Sequence, residues 1–172
     1  MKTALRVGAV GHIAMTDATH SLVRQVLRHE LGVLSEDGRQ PLRGVSGAAA
    51  GTDQMFVQAM ALLRFPYSLA IASRDYRLLM RDDLQRSTYD FCVNGTNVVQ
   101  VLPYARGCRE AYAEAAMCVL RASDHLLAVR DGQPDNGPGS TAWTVAMARR
   151  AGIPITVCWP TGAPRLREKR NS

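Results

Sequence analysis

GPGSTAWTVAMARRAGIPITV, Gly137 to Val157, runs from a glycine turn through a helix into an apolar strand. The helix spans about Thr141 to Ala151. Arg149 and Arg150 fall in its last turn, where cations suit the negative end of a helix dipole, and Gly152 and Pro154 then stop it. Upstream, the apolar run His125 to Val129 ends in Asp131 and Gly132. Strand, glycine turn, helix and strand in succession is the unit from which parallel sheets are made.

The same phrase recurs along the chain. Apolar runs stand at Leu5 to Val10, Leu42 to Val45, Tyr67 to Ala72, Val98 to Leu102, His125 to Val129 and Ile155 to Trp159. Helical periodicity follows most of them. In SLVRQVLRHEL the stripe is Leu22, Val23, Val26, Leu27 and Leu31; in DQMFVQAMALL it is Phe56, Ala59, Met60 and Leu63. In EAYAEAAMCVL it is Tyr112, Ala115, Ala116, Val119 and Leu120, a stripe that reads Tyr112 as core, although at the first turn of its helix it could instead stack on a base. The expected fold is α/β, a Rossmann-like three-layer sandwich with a mainly parallel sheet of about six strands. Ser73 to Asn97 resists this pattern and is expected to be a partly helical excursion between two strands.

The chain has 172 residues, enough for one domain with a substantial core, and its 47% hydrophobic and 21% charged residues are those of a globular protein. Residues 1–163 are expected to form that domain, and 164–172 a flexible basic tail, since Arg165, Arg167, Lys169 and Arg170 face only Glu168. The net charge of +6 is therefore partly terminal, and what remains suits an anionic small molecule. Cys92, Cys108, Cys118 and Cys158 lack paired or zinc-type spacing, so they read as reduced thiols with no metal. The start lacks a secretory core, and no segment approaches the ~20 apolar residues of a membrane span. A cytoplasmic location is the expectation.

Ligands of open parallel sheets sit beyond the carboxyl ends of the strands. Three turns there are rich in small residues: VGAVGH (Gly8, Gly11, His12), VSGAAAGTD (Ser46, Gly47, Gly51, Thr52, Asp53) and DGQPDNGPGST (Asp131, Gly132, Gly137, Gly139, Ser140, Thr141). A helix start offers unpaired N–H groups and about half a positive charge, which favours an anion. The helix after Ser140 opens with Thr141, Ala142, Trp143 and Thr144, so no acid occupies its positive end. Phosphate is expected there, although Ser140 or Thr141 could equally be a plain N-cap. Asp53 suits capping, or a hydrogen bond to a ribose hydroxyl or base. His12 alone would be a turn or hydrogen-bonded core residue.

These turns, in this order, resemble the SLOG superfamily, the Rossmann-like group containing the LOG phosphoribohydrolases, DprA-type proteins and molybdenum-cofactor carrier-like proteins. The resemblance is carried by VGAVGH, SGAAAGTD, RDYR (Arg74 to Arg77), EAYAEAA, SDHLLAVRDG and GPGSTAWTVAMARRAGIPITV, nearly the whole chain. It implies a nucleotide or nucleotide-derived ligand, with phosphate at Gly139, Ser140 and Thr141 and the sugar or base near Gly11, Ser46, Gly47 and Asp131. The hydrolase branch looks like PGGxGTxxE, and the position of its glutamate falls here on Thr144, beside Trp143. N-glycosidic cleavage passes through a cationic sugar that a carboxylate stabilises, which Thr144 cannot do.

The expected function is therefore binding or sensing of a phosphate-bearing nucleotide without an evident catalytic glutamate. The alternative is a nucleoside monophosphate phosphoribohydrolase using a relocated carboxylate such as Asp131. Arg74 and Arg77 could reach the ligand's phosphate, or form surface pairs with Asp75, Asp82 or Asp83. Trp143 and Met147, off a stripe of Ala142, Val145 and Ala146, suggest an apolar patch buried in a homodimer. Nucleic acid is an unlikely partner on this reading, because an aromatic-rich basic stripe is missing.

Overall fold

Each apolar run forms a strand in the computed structural model, which describes residues 3–12, 14–36, 38–96, 98–132 and 137–163. The first half of the chain runs β1 (Leu5–Gly11), α1 (Asp17–Leu34), β2 (Leu42–Ser46), α2 (Thr52–Leu62) and β3 (Tyr67–Ile71). A short 3-10 turn (Tyr76–Leu79), α3 (Asp83–Asn94) and β4 (Val99–Val101) follow, then α4 (Arg109–Arg121), β5 (His125–Val129), α5 (Thr141–Arg150) and β6 (Ile155–Val157). The strands form one sheet in the order β4-β3-β2-β1-β5-β6, and every pairing is parallel.

The pleat divides the core into two layers. Val7, Ala9, Leu69, Ile71, Leu127 and Val129 join the main cluster, with Val23, Leu27 and Leu31 of α1 and Phe56, Val57 and Met60 of α2. Their chain neighbours point to the other face: Val45 and Ala70 meet Val119 of α4, while Leu126 meets Leu120 of α4 and Ala148 of α5. Helices thus cover both faces of the sheet, as the near-continuous apolar strands demanded.

The helical stripes are narrower than expected. In α1, Leu22 is exposed while Thr19 is buried, and Leu63, which caps the end of α2, is exposed. Tyr112 is 37% exposed, so it is not core; Ala111, Ala115, Val119 and Leu120 form the buried face of α4. In α5 the buried residues are Thr144, Val145 and Ala148, with Ala146 exposed. Trp143 and Met147 are both half-buried, and Met147 packs partly against the cluster of Leu120, Leu126 and Ala148. The expected tail at 164–172 lies outside the described residues. Among the described residues, no helix is long and apolar enough to cross a membrane.

Candidate functional site

The strand order reverses between β1 and β5, and such a switch point splays the following loops apart. A cavity of about 590 Å³ opens at this edge. Gly11 and His12 after β1 line it, with Gly47, Ala49, Ala50 and Asp53 after β2. Gly139, Ser140, Thr141 and Thr144 close it from the start of α5. The three glycine turns therefore meet in one space.

At the start of α5, Ser140 has extended backbone and its Oγ accepts the Trp143 N–H at 3.2 Å. The first turn carries no acid. The positive end is therefore capped by a hydroxyl and not wholly open, because a serine at this position reaches the third helical amide. Thr144, where an acid would serve hydrolysis, is 1% exposed and donates its hydroxyl to the Ser140 carbonyl at 2.9 Å. Gly139 has φ +84°, and an added Cβ would lie 3.1 Å from Ala113 N and Tyr112 Cβ. Glycine here lets the loop turn left-handed and press against α4.

After β2, the chain folds back on the Asp53 carboxylate. Its Oδ2 accepts the backbone N–H of Gly47 at 3.2 Å and of Ala49 at 3.4 Å. Burial pushes this carboxyl up to about 7, against the downward pull of hydrogen bonds from Ala49, Gly47 and Ser46. Ser46 is fully buried, and its Oγ accepts the Ala48 N–H at 3.1 Å. His12, 6% exposed, lies with Nε2 3.2 Å from Asp131 Oδ1 and its ring edge-on to Trp159. Asp131 is not among the residues that line the cavity.

The excursion that resisted the sequence pattern supplies the remaining wall. Tyr76, Met80, Arg81 and Gln85 line the cavity together with Tyr112, Ala115 and Ala116 of α4. Tyr76 touches Tyr89 and Tyr112 at centroid distances of 6.1 Å each. Burial and then the charge of Asp53 raise the Tyr76 phenol above its ordinary value. Arg77 is paired instead with Asp90, through two bonds of 2.7 Å, and Arg74 is exposed; neither lines the cavity. Asp90 was not among the partners expected for Arg77.

Of the residues expected at a site, Gly11, His12, Gly47, Asp53, Gly139, Ser140 and Thr141 come together in the wall. Gly8, Ser46, Gly51, Arg74, Asp131, Gly132 and Gly137 do not line it. Gly8 serves packing: an added Cβ would fall on Ser123 Oγ and, at 3.0 Å, on Val119 of α4. Gly51 is the N-cap of α2 at φ +85°. Sequence reasoning missed Tyr76, Arg81 and Gln85, whose only signal was a charged segment that fitted neither strand nor helix period.

No family model matches the chain, and no curated protein matches it by sequence. Solved structures do match. DprA from Helicobacter pylori, described for its single-stranded DNA binding mode, aligns with a TM-score of 0.64 and 16% identity over 95% of this chain and 69% of its own. DprA from Streptococcus pneumoniae aligns with a TM-score of 0.63 and 16% identity over 90% of this chain and 50% of its own. The Moco carrier protein of Chlamydomonas rheinhardtii aligns at 0.53 with 13% identity, over 90% and 76%. The chain has their fold.

The resemblance read from the glycine turns thus holds at the level of fold. This chain spans about half the length of the Streptococcus protein. One expectation is corrected: nucleic acid was set aside as a partner for want of an aromatic basic stripe, yet this architecture is the one described with single-stranded DNA in the Helicobacter protein. A stripe is a surface signal. The edge loops of a parallel sheet can meet a phosphate without one.

Proposed function

We propose that the cavity binds a phosphate-bearing nucleotide unit, with phosphate at the start of α5 and the heterocycle along the Tyr76–Tyr112 wall. The observation that carries this is a single cavity receiving both the acid-free first turn of α5 and Arg81. A dipole end and a guanidinium suit an oxyanion. The volume of about 590 Å³ falls within the roughly 300–1,000 Å³ of small-molecule sites. Residues 1–163 would serve as the binding domain.

Binding is favoured over glycosidic cleavage because Thr144 is buried and spent on Ser140, and Asp131 stands outside the wall. A second reading, a nucleotide unit within single-stranded DNA, is supported by the shared fold with DprA and by the net charge of +6.

Thermal unfolding with nucleoside monophosphates, ribose 5-phosphate, the parent nucleosides and a short single-stranded oligonucleotide tests the proposal. At about 100-fold excess over Kd, monophosphates should stabilise by about 2.7 kcal/mol, a rise of several degrees in Tm, with nucleosides far behind. Equal, null responses to phosphorylated and unphosphorylated compounds would reject it. A rise with the oligonucleotide alone would move the assignment to the second reading.

A further inference from the structure

The wall that runs from the β2–α2 loop to Tyr76 and Tyr112 has a chemistry of its own. Both backbone donors of the β2–α2 loop converge on Oδ2 of Asp53, and Oδ1 has no such donor. That carboxyl shares a wall with Tyr76 and Tyr112, whose rings meet edge-to-face, and with Ala49, Ala50, Ala72, Ala115 and Ala116. Methyl-sized side chains beside two phenols give this wall a surface on which a flat ring can stack, and aromatic faces gain most from another π-system. Once ionised, above about pH 7, the Asp53 carboxylate accepts hydrogen bonds and offers none.

The geometry points to a heterocycle presenting a ring N–H beside an exocyclic amine, as guanine does, read by the Asp53 carboxylate and stacked on the Tyr76–Tyr112 wall. This rests on the nucleotide reading above and adds the identity of the ring edge. Adenine offers an acceptor at the ring nitrogen next to its amine, so it would set a lone pair against the carboxylate. Hypoxanthine keeps the N–H and loses the amine. The expected order of affinity is GMP, then IMP, then AMP.

Calorimetric titration of the whole chain with GMP, IMP, AMP and ribose 5-phosphate tests it, on the native protein, Asp53→Asn and Tyr112→Leu. Asparagine keeps a carbonyl for the Gly47 and Ala49 amides and exchanges one acceptor for a donor. The native protein should prefer GMP over AMP by about tenfold or more, and Asp53→Asn should erase that preference while leaving ribose 5-phosphate affinity in place. Tyr112→Leu, at an exposed position, should weaken all three nucleotides and spare ribose 5-phosphate. Equal affinity for GMP and AMP, or a preference that survives Asp53→Asn, overturns the ring assignment and leaves the phosphate reading standing. If ribose 5-phosphate and every monophosphate fail to bind the native protein, both fall together.

Discussion

At the scale of single residues, Asp53 ties stability to binding. Its ordinary value of 3.8 is pushed up to about 7 by burial, so the folded chain holds this proton over a range in which the unfolded chain releases it. Below pH 4 both states are protonated and the contribution is complete. Between pH 4 and 7 the unfolded state ionises first, so stability falls as pH rises, and above 7 it levels off. Asp53→Asn should remove that slope: equal to the native protein near pH 4, and more stable at pH 8 by up to about 4 kcal/mol in urea unfolding. A native protein whose stability is flat or rising across pH 4 to 7, with the variant no better at pH 8, would contradict this. Gly8 makes a different kind of demand. A methyl there meets Ser123 Oγ and Val119, so Gly8→Ala should cost about 1–3 kcal/mol by lifting α4 off β1, and adding Ser123→Ala should recover part of it. An unchanged Tm in Gly8→Ala would show that α4 is not seated where the structure puts it.

Among the elements, α5 is where the phosphate reading meets its sharpest test. Thr141→Asp places a carboxylate in the first turn, where it stabilises a helix by roughly 0.3–1 kcal/mol, while competing with any anion for the same dipole end. The expected outcome is an unchanged or slightly higher Tm with affinity for monophosphates reduced by about tenfold or more. Affinity that survives the substitution would move phosphate away from α5. The strands were legible because parallel strands are buried on both faces and read as uninterrupted apolar runs, and α5 because its serine cap, final arginines and Gly152 mark both ends. Helix phase was less legible. Tyr112 shares the period of Ala115 and Val119, and a rotation of one position decides whether the ring faces core or cavity. The 73–97 excursion was opaque for another reason: Tyr76 owes its place to Tyr89 of α3 and Tyr112 of α4, and Arg81 to a bond with Gln85 of α3, which no local period encodes.

Across the whole molecule, the distribution of charge matters more than its sum. The excess of +6 suggests a polyanion, yet Arg6 is paired with Asp124, Arg77 with Asp90 and Arg86 with Asp83. Among the described residues of the cavity wall, the arginine is Arg81. Phosphate held by one guanidinium and a helix start is a short-range arrangement, whereas a strand tracked along a basic surface releases many counterions. Mononucleotide affinity should therefore fall by no more than about threefold between 50 and 200 mM salt. For a single-stranded oligonucleotide the same titration reports how far contacts extend beyond the cavity, since log affinity falls with a slope of about 0.7 per neutralised phosphate. A slope near that of one phosphate would confine recognition to the switch point between β1 and β5. A slope of several would bring in cations beyond the wall, and Arg81→Ala would then abolish mononucleotide binding while only weakening the oligonucleotide. Loss of both to the same degree would place the whole anion affinity in the cavity.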